Sequence, residues 1–172
     1  MDEIENAAEA FARAHDFDPQ RDDVRELVQK LGGELGVGGP YDPDWRPYNP
    51  SLNAGEAMRV RREGMRFTIY LPPTTGMLRD NFTIAHELGH LRLHVPRYFE
   101  QHPDTTEVVV RRLGNDPPES QANRFAAALL MPQAAFRAAG EESGWDIFRL
   151  SVQFFVSRLA AQYRADFLYQ RR

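Results

Sequence analysis

Cysteine is absent from all 172 residues. That excludes a disulfide framework and any thiolate metal site, so a bound metal would have to be held by imidazoles and carboxylates. Lysine is nearly absent too: Lys30 stands alone against twenty arginines, a bias better attributed to the nucleotide composition of the source than to mechanism. No apolar stretch approaches the roughly 20 residues that span a bilayer. The opening Met1-Asp2-Glu3-Ile4-Glu5 has neither the basic start nor the apolar run of a secretory signal. Internal repeats and low-complexity segments are missing as well. These absences lead to the expectation of a soluble, cytoplasmic protein without a membrane contact.

What is present suffices for a sizeable core, since 42% of the residues are hydrophobic. Charge is uneven. Residues 1–35 hold ten acidic and four basic side chains, net −6, and the remainder carries 17 basic and 15 acidic, net +2, which together give −4. An acidic chain is a poor default binder of nucleic acid, and the acidic start reads as a solvated helix face.

Ile4, Ala7, Ala8 and Phe11 recur at helical spacing, which predicts a helix over residues 3–15. A second is expected from Pro19 or Gln20 to Leu31, capped by Asp18 and stopped by Gly32-Gly33. Residues 32–55 then hold half of all glycines and a third of the prolines, with Tyr41, Trp45 and Tyr48 among them. They read as a short strand near 34–37 and a long loop, either on the rim of a cleft or pinned to the surface by its aromatics. Alternation predicts strands at Met58–Arg62 and Met65–Leu71, turning at Glu63-Gly64, and another at Thr106–Arg112. Between them lies a helix that begins between Thr75 and Asn81 and ends at His94 or Val95, where Pro96 forbids extension; 96–106 reads as polar loop. A helix after Asp116-Pro117-Pro118-Glu119 is apolar nearly all round, hence buried, and further helices are expected over 133–139, 145–154 and 157–169.

The helix before Pro96 carries Phe82-Thr83-Ile84-Ala85-His86-Glu87-Leu88-Gly89-His90. Histidines four apart lie on one helix face about one turn apart, so His86 and His90 can reach one ion. Glu87 is offset by about 100° around the axis. It therefore sits beside the metal, where a carboxylate can take a proton from water. The competing interpretation is a chance match on a core helix with hydrogen-bonded histidines. A catalytic zinc takes three protein ligands, so a third is required. Metzincin spacing would need a histidine at position 96, which is proline. His94 stands about 12 Å along the axis from His86, from a rise of 1.5 Å per residue, too far to grip the same ion with it. Glu119 opens the buried helix, and the small residues Ala122, Ala126 and Ala127 would allow a close helix approach. Asn123, one turn on, could accept a hydrogen bond from a ligating histidine. Yet Asp116-x-x-Glu119 is also an acceptable capping box, so spacing alone leaves ligand and cap both open. Glu100, Asp104, Glu107 and Asp116 are weaker alternatives.

Arg79 to His90 followed by Glu119-Ser120-Gln121-Ala122-Asn123-Arg124-Phe125-Ala126-Ala127-Ala128-Leu129-Leu130-Met131-Pro132 resembles the ImmA/IrrE metallopeptidases. Residues 57–132 carry this resemblance, the N-terminus and the 37–55 loop only loosely. It implies a zincin-like α+β fold, with a small, mostly antiparallel sheet packed on the motif helix. It also implies one Zn2+, Mn2+ being the alternative, on His86, His90 and Glu119, with Glu87 as catalytic base. Asn123 would orient a ligating imidazole, and His94, Tyr98 and His102 are candidates for the oxyanion stabiliser by reach. Family members typically cut a helix-turn-helix repressor of the phage or stress-response kind, so the implied partner is a protein substrate of that class.

We divide the chain into a metallopeptidase domain, 1–140, and a C-terminal helical extension, 141–172. Leu150–Arg164 looks like helix, tight turn, helix, similar to DNA-binding units. Residues 146–172 hold five arginines and two aspartates, net +3. A rival reading is therefore a DNA-binding or repressor-sequestering regulator, or a toxin–antitoxin component, whose metal site is not catalytic. The apolar and small residues of the second helix suit packing better than a DNA groove.

Overall fold

The computed structural model describes residues 2–37, 57–72, 75–111 and 117–169. In chain order these form α1 (Glu3–Ala14), α2 (Val24–Lys30), β1 (Gly33–Val37), β2 (Ala57–Arg61), a 3-10 turn (Glu63–Met65), β3 (Phe67–Leu71), α3 (Met77–Leu93), α4 (Val95–Gln101), β4 (Glu107–Arg111), α5 (Pro117–Leu130), α6 (Gln133–Ser143), α7 (Ile147–Gln153) and α8 (Arg158–Tyr169). The fold is α+β. Its four-stranded sheet runs β1-β3-β2-β4, with β1 parallel to β3 and the other two pairings antiparallel. Residues 38–56, which include most of the expected 32–55 loop, lie outside the described residues, as does Asp116.

Alternation places the sheet's apolar face against α3. Met58 pairs with Ile69 and Val60 with Phe67 across β2 and β3. All four are buried, in one cluster with Ile84, Ala85 and Leu88 of α3. On the helix's other side α5 packs against α3. Gly89 makes this approach possible: a Cβ there would lie 3.1 Å from Ala122 Cα and 3.2 Å from the Ala122 carbonyl oxygen. Backbone atoms cannot swing aside as a flexible side chain can. We therefore expect Gly89→Val to force α3 and α5 apart and to destabilise the protein by about 3 kcal/mol, at the upper end of overpacking costs. Urea unfolding of the metal-free variant checks this, and wild-type stability would contradict it.

The helix expected over 133–139 runs on to Ser143, and two further elements differ. The second helix starts at Val24 rather than at Pro19 or Gln20. Asp18 instead closes a separate turn, its carbonyl accepting from Asp22 N–H and its side chain from Gln20 N–H, while the Asp23 side chain caps α2. Residues 95–101 are helix, not loop. The motif helix does stop just before Pro96, α3 ending at Leu93 with His94 as its cap, but Pro96 then sits in the first turn of α4, where its missing N–H has no helical partner to lose.

The C-terminal helices share the core. Leu150, Phe154, Val156, Ala161, Ala165 and Leu168 belong to the same hydrophobic cluster as the sheet and α3. Buried Arg164 of α8 makes a two-pronged bond to buried Glu5 of α1, at 2.6 and 2.8 Å, and donates through Nε to the Met131 carbonyl. This arginine, one of the basic residues that suggested a DNA-binding face, is directed inward.

Candidate metal centre

The close α3–α5 contact brings three side chains from two helices to one point. His86 and His90, one turn apart on α3, present their Nε2 atoms 3.1 Å from each other. Glu119, in the first turn of α5, places one carboxylate oxygen 3.3 Å from His86 Nε2 and the other 3.1 Å from His90 Nε2. All three are at least 96% buried, with exposures of 0%, 4% and 4%. Among the described residues they are the group of ligand-type side chains close enough to share an ion.

The triangle fits a small cation. Two ligand atoms each about 2.0–2.1 Å from a tetrahedral zinc stand about 3.3 Å apart; the Nε2–Nε2 distance and the two Nε2–carboxylate distances, which end on different Glu119 oxygens, are of that size. The tautomers agree. His86 Nδ1 lies 2.9 Å from the Asn123 side-chain oxygen, which can only accept, so His86 Nδ1–H donates and Nε2 keeps its lone pair toward the centre. Burial, reinforced by the neighbouring His86 ring, holds the His90 pKa down to about 4. His90 is thus neutral at physiological pH and its lone pair is available to a metal. Lone pairs and a carboxylate converging in a dry site are mutually repulsive unless a cation joins them.

The remaining predicted residues separate from this point. Glu87 is buried on α3 next to His86. His94 sits behind His90, with Nδ1 3.1 Å from His90 Nδ1 and Nε2 2.9 Å from the Gln121 amide oxygen. With both nitrogens engaged there, it is not aimed at a reacting carbonyl. Tyr98 and His102 stack on each other along α4, ring centroids 4.2 Å apart, and His102 Nδ1 bonds the Tyr98 carbonyl. Glu107 pairs with Arg59 and Arg61 on the sheet, and Glu100 and Asp104 are exposed.

Sequence reasoning missed the hollow beside Glu119 and Asn123, whose lining includes none of His86, Glu87 and His90. A cleft of about 860 Å³ opens between α3, α5 and α8, and Glu119 lies on its lining with Arg79, Phe82, Asn123, Leu159 and Tyr163. Leu159 and Tyr163 are 64% and 66% exposed on α8, a pair four residues apart on one helix face that was visible as a pattern but not as a cleft wall.

Three comparisons bear on this arrangement. The model of the Peptidase M78 family, described as the IrrE N-terminal-like domain, matches residues 49–166, more than half of the chain. A solved structure, described as a Mycobacterium tuberculosis transcriptional regulator, superposes with a TM-score of 0.59 at 17% identity. That match covers 95% of this chain and 46% of the other, so this chain spans about half the length of that protein, and the likeness establishes the fold. No curated protein matches.

Proposed function

Because the chain belongs to the IrrE N-terminal-like family of M78 metallopeptidases, we propose that it is a zinc-dependent endopeptidase whose substrate is a helix-turn-helix repressor. The observation that carries the metal reading is the buried triangle of two imidazole nitrogens and one carboxylate with edges of 3.1 to 3.3 Å. The implied substrate class rests on the resemblance of the two motif helices to repressor-cutting peptidases.

A zinc ion in this site would supply Lewis acidity, lowering the pKa of a coordinated water to roughly 7 and polarising a peptide carbonyl. His86, His90 and Glu119 would hold it. Glu87 would accept the proton of the attacking water and pass it to the departing amine, so that neither hydroxide nor an amide anion has to exist free. Asn123 fixes the His86 ring through the Nδ1–H bond. The cleft beside Glu119, with Phe82, Leu159 and Tyr163 on its walls, would receive the substrate segment. Among the described residues no helix is long and apolar enough to cross a membrane.

The test is incubation of the zinc-loaded protein with the helix-turn-helix repressor encoded nearest to it. Two repressor fragments should appear, and a chelator should prevent them. An intact repressor in stable complex with the protein would instead support sequestration and overturn proteolysis.

A further inference from the structure

We propose that His94, held by Gln121, is a positioning residue that fixes the tautomer and the ring plane of His90 for metal binding. The proposal rests on the metal-centre reading above. With His94 as the neutral imidazole, the donor and acceptor order along this chain of groups follows from its far end. The Gln121 amide oxygen can only accept, so His94 must donate from Nε2–H across the 2.9 Å contact. A neutral imidazole with its proton on Nε2 has a lone pair on Nδ1. That lone pair lies 3.1 Å from His90 Nδ1, so His90 must be the donor and must carry its own proton on Nδ1. His90 Nε2 is then left with its lone pair toward His86 and Glu119. The 54° tilt between the two rings, with centroids 5.0 Å apart, is that of an edge-on hydrogen bond rather than of a stack.

The two ligating histidines are thus anchored differently from one scaffold. His86 donates directly to the side chain of Asn123, whereas His90 donates to an imidazole that Gln121 in turn holds. Glu119, Gln121 and Asn123 are alternate residues of α5, so one helix supplies the third ligand and both orienting groups. An imidazole is a stronger acceptor than an amide, so the relay raises the electron density on His90 as well as aiming it. Loss of such a partner typically lowers metal affinity about 10- to 100-fold.

The decisive measurement on the metal-free protein is a long-range 15N–1H NMR correlation of the histidine rings. It should show His90 protonated at Nδ1 and His94 at Nε2, and dominance of the Nε2–H tautomer of His90 would overturn the relay. Zinc affinity by chelator competition supplies the second readout. His94→Phe retains a ring but no acceptor, and we expect zinc to bind about 10-fold or more weakly. His94→Gln, whose amide oxygen can accept from His90, should recover most of that loss. If His94→Phe binds zinc as tightly as wild type, the positioning role is wrong. If wild type itself binds no zinc, the metal reading fails, while the tautomers of the metal-free protein still decide the relay. Should a variant fail to fold, the wild-type NMR result stands alone as the test.

Discussion

Glu87→Gln is expected to retain zinc at wild-type affinity and to lose repressor cleavage by about 10³-fold, within the range that positioned proton transfer contributes. The substitution preserves shape and removes the one property the mechanism requires, a carboxylate able to accept and return a proton. Glu87 is buried on α3, one residue past His86, and the helix turns its side chain away from the face that carries His86 and His90. It therefore lies outside the proposed ligand set, and the metal content of the variant should not change. Paired measurements of zinc stoichiometry and of single-turnover repressor cleavage separate the two properties. Cleavage at an undiminished rate would remove Glu87 from the role of base, and coincident loss of zinc would show that it holds the metal instead.

Glu119→Ala should have the opposite signature, losing the metal and with it the activity. Zinc binding at a four-ligand protein site releases about 10–16 kcal/mol, or about 3 kcal/mol per ligand, so removal of one ligand is expected to weaken binding by about 100-fold or more. The matching control is Glu107→Ala, because Glu107 pairs with Arg59 and Arg61 on the sheet, not with the histidines. Zinc affinity by chelator competition should fall for the first variant and stay unchanged for the second. Equal affinities for Glu119→Ala and wild type would exclude Glu119 as a ligand.

The residues alone reveal some features of the fold and the site and leave others hidden. The histidine pair was legible because i and i+4 on a helix always share a face, whatever the rest of the chain does. The strands were legible from alternation, and Met58, Val60, Phe67 and Ile69 are all buried where that alternation places them. Strand pairing was not. Nothing in Gly33–Val37 specifies that β1 lies parallel to β3, since its partner is 34 residues away at Gly33↔Phe67. Pro96 misled because proline stops one helix and starts another by the same lost donor, and only the tertiary position of α4 decides between the two.

Glu119, the proposed third ligand, shows the limit most clearly. A glutamate three residues after Asp116 has the same spacing whether it caps its own helix or reaches across to another. The resemblance to a known two-helix signature implies the second, and the Glu119 carboxylate oxygens lie 3.3 and 3.1 Å from His86 Nε2 and His90 Nε2. The place of His94 could not have been read from spacing, because its role depends on a contact with Gln121, 27 residues along the chain. The cleft wall formed by α8 was hidden for the same reason.

Joint binding of one metal ion by His86, His90 and Glu119 can be seen in a crystal. A crystal of the zinc-loaded protein, with diffraction recorded on either side of the zinc absorption edge, tests it most directly. One anomalous peak about 2.0–2.2 Å from His86 Nε2, His90 Nε2 and a Glu119 carboxylate oxygen is the result expected. Fully loaded protein whose anomalous peak lies away from these three atoms would contradict it.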